Sequence, residues 1–117
     1  MNNAADLRQQ KCQPQTKALT AEEIAQRLQA VAAWRLQDGK IFREYTFKNY
    51  YATMAFVNAI VYVIHAEDHH PELVITYKHC TVKYNTHSVN EGKGGLSDND
   101  FICAAKLDAI FEHGMHS

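Results

Sequence analysis

With 117 residues, 46% of them apolar and 21% charged, and a net charge of −1, the chain fits one globular domain with a modest core. The near-neutral balance supplies no basic excess for nucleic acid or an anionic membrane surface, and no apolar run approaches the roughly 18 residues of a membrane span. Three widely separated cysteines, Cys12, Cys80 and Cys103, contain no CxxC pair, which argues against a disulfide framework or a cysteine-rich zinc site and for a reducing, cytoplasmic home.

Residues 1–18 are polar and aperiodic. They read as a flexible tail without the apolar stretch of a signal peptide, leaving 19–117 as a single domain. Thr20-Ala21-Glu22-Glu23 is a capping box, with Thr20 at the N-cap and Glu23 three residues on. Ile24, Leu28 and Val31 recur at helical spacing behind it, which predicts an amphipathic helix over 21–33. Asp38-Gly39 between two alternating segments, 34–37 and 40–47, predicts a hairpin with Ile41, Arg43, Tyr45 and Phe47 on one face. Asn49 can cap a long helix running to about Glu67. That helix carries two apolar stripes, Tyr50-Met54-Val57-Val61-Ile64 and Phe56-Ile60-Val63. The first is expected in the core and the second at a subunit contact. Segments 72–77 and 79–86 alternate as strands, and 91–95 is a glycine-containing loop. Ser97 with Asp100 three residues later opens a last helix that Gly114 stops. The predicted order is α-β-β-α-β-β-α, an α+β fold with helices on one face of an antiparallel sheet.

The chemistry concentrates at the second helix's end. His69-His70-Pro71 sits at a helix-to-strand turn, since Pro71 cannot continue a helix and biases the preceding residue towards extended backbone. His87 closes the second strand of the following pair, so three imidazoles can converge on one pocket. Histidine titrates near neutrality and can both give and take protons, which favours proton transfer on a bound small molecule. No nucleophile motif or phosphate loop accompanies them. A metal site is the rival reading, because His65 and His69 are spaced i, i+4. The HExxH order is missing, however, and the adjacent His69 and His70 do not readily point at one ion. His79, His113 and His116 read as ordinary surface or tail residues.

This pattern resembles a known family. The run His65-x3-His69-His70-Pro71, then Tyr77, His87 and an acid opening the final helix, is similar to the signature of the pterin-4a-carbinolamine dehydratases. The resemblance extends from about Thr20 to Phe111 and takes in Trp34, Phe47-Lys48-Asn49-Tyr50 and Gly95-Leu96-Ser97. It implies a four-stranded antiparallel sheet with three helices on one face. It also implies dehydration of 4a-hydroxytetrahydropterin to quinonoid dihydropterin, in pterin recycling for aromatic amino acid hydroxylases. No metal or organic cofactor is implied.

By the same resemblance the catalytic residues are His69, His70, His87 and Asp100. Asp68, His69, His70, Pro71, Thr86, His87 and Ser88 form the pterin-binding set. A homodimer or homotetramer is expected, with no nucleic-acid or membrane partner. The alternative is a non-catalytic pterin-binding or protein-partner module, such as the dimerisation cofactors of transcription factors among animal members. Two positions depart from the pattern: His65 stands where many members have Glu, and the 88–95 loop is longer than in the shorter ones.

Overall fold

The computed structural model of the protein describes residues 3–115, so His116 lies outside it. Four antiparallel strands form one sheet in the order β1-β2-β4-β3, from β1 (Arg35–Gln37), β2 (Lys40–Thr46), β3 (Glu72–Ile75) and β4 (His79–Tyr84). Asp38 and Gly39 join β1 to β2 with φ of 54° and 77°. This is the pair of positive values that a two-residue turn needs to match strand twist, and it explains the Asp-Gly choice.

The central ladder pairs Ile41 with Tyr84, Arg43 with Val82 and Tyr45 with Cys80. On one face Ile41, Tyr45, Cys80, Val82 and Tyr84 are buried, while Glu44 and Thr46 point outward. This one-sided alternation requires a helical layer on the buried face. Beyond β4, Thr86 makes a further antiparallel bridge to Gly95, which ties the glycine-containing loop back to the sheet.

The helices are α1 (Ala4–Gln9), α2 (Ala21–Leu28), α3 (Tyr50–Glu67) and α4 (Asp98–Ile110), with a short 3-10 turn, Gln29–Val31, after α2. α4 is the central one. Phe101 to Ala105 and Leu107 are all buried, because α4 packs against α3 and α1 as well as the core. The capping boxes expected at Thr20–Glu23 and Ser97–Asp100 both form.

Two expectations are corrected. Segment 4–9, read as tail, is a helix with its own capping box between Asn3 and Asp6, and Leu7 is fully buried in the core. Six residues gain little from helix propensity alone, so the burial of Leu7 against the rest of the protein holds α1 in place. The stripes of α3 also divide otherwise than expected, the second lying in the core or packed on it together with Val57, Met54 and Ile64 of the first. Phe56 and Ile60 are buried with Thr53 and Val57, whereas Val61 is half exposed and Tyr50 nearly so. A helix apolar around most of its girth does not announce its inward phase. Here the phase is marked by Thr53, whose hydroxyl shares its one hydrogen between the carbonyls of Asn49 and Tyr77, each 3.0 Å away.

Candidate active site

Helix α3 ends where Asp68 adopts the left-handed conformation, φ 51° and ψ 41°, and its N–H bonds the His65 carbonyl. Aspartate tolerates this geometry better than most residues. The reversal sends His69 inward and leaves His70 outside: the side chain of His69 is 13% exposed and that of His70 69%. The His69 ring lies flat on Tyr84, with centroids 5.1 Å apart and planes 12° from parallel. The Tyr84 hydroxyl donates to the His69 carbonyl at 3.2 Å. Ring and backbone of His69 are thus fixed by one β4 residue.

Asp100 is completely buried at the start of α4 and has both oxygens engaged. Oδ1 lies 2.6 Å from His69 Nε2, while Oδ2 accepts from Thr86 Oγ1 at 2.9 Å and from the Ser97 amide at 3.0 Å. The Thr86 and Ser97 hydroxyls are 2.7 Å apart. A carboxylate only accepts hydrogen bonds, so Nε2 is the donor in this contact. Burial pulls the His69 pKa down. The hydrogen bond and the charge of Asp100 more than offset this, and the imidazole titrates above its ordinary value.

A cavity of about 500 Å³ opens beside this pair, within the size range of pockets that hold whole small molecules. It brings together Asp68, His69 and His70 from the end of α3 with Thr86, His87 and Ser88 beyond β4. Of the expected residues, Pro71 is not in the lining, and Asp100 stands behind His69 instead of facing the cavity. The 88–95 loop leads from the end of the sheet towards α4. Its return pairing, Thr86 with Gly95, carries the chain directly to Ser97. His65 lies on the exposed side of α3. Among the described residues, no group of three or more histidine, cysteine, aspartate or glutamate side chains is arranged to hold a metal ion.

The sequence reading missed a large part of the wall. Cys12, Gln13, Pro14 and Gln15, from the supposed tail, line the cavity together with Glu67, Asn85 and Asn99. The side-chain amide of Asn99 clasps this segment: Oδ1 accepts from the Gln13 amide at 3.0 Å and Nδ2 donates to the Gln13 carbonyl at 2.8 Å. Glu67 holds the other end. Oε1 accepts from the Cys12 amide at 2.8 Å and Oε2 pairs with Lys106 at 2.6 Å. Burial raises the Glu67 pKa, but these two partners outweigh it and the carboxyl titrates below its usual value.

Cys12 Sγ lies 3.6 Å from Cys103 Sγ. The hydrogen bond from Cys12 holds the Cys103 thiol below its ordinary value and pushes Cys12 well above its own. No periodicity marks residues 12–15. The only local signal for order near them is the Asn3-x-x-Asp6 capping box.

Comparison with known proteins identifies the family. The profile of the family "Pterin 4 alpha carbinolamine dehydratase" matches residues 17–110. A protein of Bdellovibrio bacteriovorus is 54% identical over 110 residues, covering 94% of this chain and 92% of its own. One from Nitrosomonas europaea is 50% identical, covering 96% and 99%. Both carry the description "putative pterin-4-alpha-carbinolamine dehydratase". A crystal structure from Brucella melitensis, described as a transcriptional coactivator/pterin dehydratase, superposes with a TM-score of 0.73 at 30% identity. It covers 80% of this chain and 98% of that one.

Proposed function

Because the chain belongs to the pterin-4a-carbinolamine dehydratase family, we propose that it is a carbon–oxygen lyase that removes water from 4a-hydroxytetrahydropterin to give quinonoid dihydropterin. The observation that carries the assignment to particular residues is the 2.6 Å contact between His69 Nε2 and a fully buried Asp100, at a cavity that His70 and His87 also line.

The reaction needs one proton delivered to the leaving hydroxyl at C4a and one removed from N5. The N5 electron pair then forms the C4a–N5 double bond as the C4a–O bond breaks and water departs. Asp100 keeps the His69 imidazole protonated further up the pH scale and fixes it beside the cavity, which suits it to carry the proton that is delivered. Proton delivery therefore falls to His69. Removal of the N5 proton falls to His87, which is exposed at the cavity rim and can pass the proton to water. His70, largely solvent-facing, contacts the ring or the opposite face. Asp100 acts through His69, and Thr86 and Ser97 keep its second oxygen occupied. The chemistry is metal-free.

The product belongs to a pterin cycle in which an aromatic amino acid hydroxylase supplies the substrate, and the enzyme works in the cytoplasm. We assign a homo-oligomer to it. Tyr51, Val61 and Tyr62 on α3 are 82%, 50% and 76% exposed, apolar side chains that a subunit contact would cover. The same side chains are the one feature that favours the second reading, a protein-partner module.

Turnover on freshly generated 4a-hydroxytetrahydropterin with chelator present separates these readings. Wild type is expected to turn over, with losses of about 10²–10⁴-fold in His69→Ala and His87→Ala. A folded wild type without turnover would sink the catalytic reading. Dependence on metal would sink the acid–base one.

A further inference from the structure

We infer that Cys12 and Cys103 form an oxidisable dithiol, which a hydroperoxide entering the cavity converts to a disulfide that locks segment 12–15 onto α4. The inference concerns sulfur chemistry and holds whether or not the dehydratase reading does.

The pairing is a product of the fold. The two residues are 91 apart in sequence, yet their Sγ atoms lie 3.6 Å from each other. A disulfide holds its sulfurs at about 2 Å, so closure needs an approach of about 1.6 Å. Cys103 is fully buried within α4, where a regular helix fixes it. Cys12 belongs to no helix or strand, so a side-chain rotation and a small shift of irregular backbone can supply the approach. The segment's present attachments near it are hydrogen bonds, the Cys12 amide to Glu67 and the Gln13 amide and carbonyl to Asn99. Such bonds open and close while the rest of a protein stays folded; a disulfide does not.

The two sulfurs differ in access. Cys12 lines the cavity, whereas Cys103 stands behind it. A small oxidant therefore meets Cys12 first, and Cys103 is placed to resolve the product, the arrangement that redox-sensing thiols need. Cys80 supplies the contrast. It is fully buried in β4, away from the cavity lining, and burial pushes its thiol up to about 11, which leaves it protonated and inert near neutrality. At the pair the hydrogen bond from Cys12 works the other way and holds the Cys103 thiol below its ordinary value, against burial and with help from the charge of His69. Two sulfurs can also chelate a metal ion, but among the described residues no third ligating side chain completes such a site.

The hydrogen that remains between the sulfurs can sit on either of them. When it sits on Cys103, the charge faces the cavity at Cys12. The Cys12 thiolate then attacks one oxygen of hydrogen peroxide, the O–O bond breaks, and the departing hydroxide takes up a proton and leaves as water. Cys103 attacks the resulting sulfenic sulfur, the S–OH bond breaks, and that hydroxyl leaves as a second water with the Cys103 hydrogen. Two thiols and one peroxide give one disulfide and two waters; the sulfurs lose the two electrons that the peroxide oxygens gain.

The test treats the reduced full-length protein with hydrogen peroxide, removes the excess with catalase and unfolds it in N-ethylmaleimide. Trypsin then leaves the three cysteines in separate peptides, 12–17, 79–83 and 94–106. The expected product is 12–17 linked to 94–106 with the loss of two hydrogens, and Cys80 alkylated. Hydrogen exchange of residues 12–16 should slow roughly tenfold or more on oxidation, and a dithiol reductant should reverse both changes. In urea, loop closure favours the pair nearer along the chain, so the unfolded protein should link Cys103 to Cys80 instead. Cys103→Ala removes the resolving thiol and should leave a sulfenic acid on Cys12 that dimedone traps; the wild-type digest decides the pairing even where that variant does not fold. A folded wild type that links Cys80, forms disulfide-bonded dimers through Cys12, or gains oxygen at Cys12 without a linked peptide would overturn the inference. So would three unreacted thiols under peroxide that oxidises free cysteine, the same 12–103 link in urea, or a linked protein whose exchange is unchanged.

Discussion

Helix α4 carries two buried aspartates eight residues apart, roughly 12 Å along its axis, and they differ in what balances their charge. Asp108 Oδ1 accepts from Trp34 Nε1 at 3.0 Å, Arg43 Nη1 at 2.7 Å and the Tyr45 hydroxyl at 2.6 Å. The Arg43 guanidinium also lies over the Tyr45 ring at 4.4 Å. Its counter-charge is permanent, because arginine does not deprotonate in a protein. Asp100 is balanced by two neutral donors and one imidazole, a partner whose charge comes and goes near neutrality. The first arrangement fastens the β1–β2 hairpin to the end of α4. The second leaves a proton in play. Burial of a carboxylate therefore does not identify a functional site; the titratability of its partner does.

The largest effect should come from breaking the permanent pair. Asp108→Ala leaves Arg43, only 18% exposed, without its anion, and should destabilise the fold by about 3–5 kcal/mol in urea unfolding. Under conditions where the variant is folded, its kcat should match wild type. A catalytic defect there would erase the distinction between the two sites. Asp100→Asn should do the reverse. It keeps the volume but turns one acceptor oxygen into a donor and removes the charge that holds up the His69 pKa, so kcat should fall roughly 10²-fold or more. Urea unfolding should register a change of about 1 kcal/mol. Near-normal turnover in a folded Asp100→Asn would demote Asp100 to a loop fastener. Trp34→Phe removes one of the three donors to Asp108 and should cost about 1 kcal/mol with no change in the pH profile of turnover.

The two aspartates were unequally legible in the sequence. Asp100 could be read because Ser97-x-x-Asp100 is a local capping signal and the helix start follows a glycine-containing loop. The histidine-proline turn was legible for the same reason, since its information lies within a few residues. Asp108 could not be read. Its partners lie 63 to 74 residues away on the hairpin, and nothing near it distinguishes it from a solvated helix acid. The cavity wall was hidden in another way. Leu7 is one apolar residue in a polar stretch, and Cys12 to Gln15 are ordered by side chains of Asn99, Ser88 and Glu67 that no pattern within residues 1–18 can report. The succession of strands and main helices along the chain survived because alternation and capping are local. The inward phase of α3 did not, because apolar residues on most of its girth leave its phase to tertiary packing.

The subtlest difference between the two sites is in the pH dependence of stability. The folded pKa of His69 is above its ordinary value of 6.5, so the folded state binds this proton more tightly than the unfolded chain does. The resulting stabilisation is fully present below the unfolded value and disappears as pH rises through the folded one. The unfolding free energy of wild type minus that of Asp100→Asn should therefore be larger near pH 5.5 than near pH 8.5. The corresponding difference for Asp108→Asn should stay flat across the same window, because Arg43 remains charged throughout. Paired urea titrations at the two pH values measure both. A flat difference for Asp100→Asn, or one that grows with pH, would mean that the 2.6 Å contact is a neutral hydrogen bond, and His87 would then take over as the leading candidate for the acid. A sloping difference for Asp108→Asn would put a titrating group beside Arg43 and dissolve the contrast from the other side.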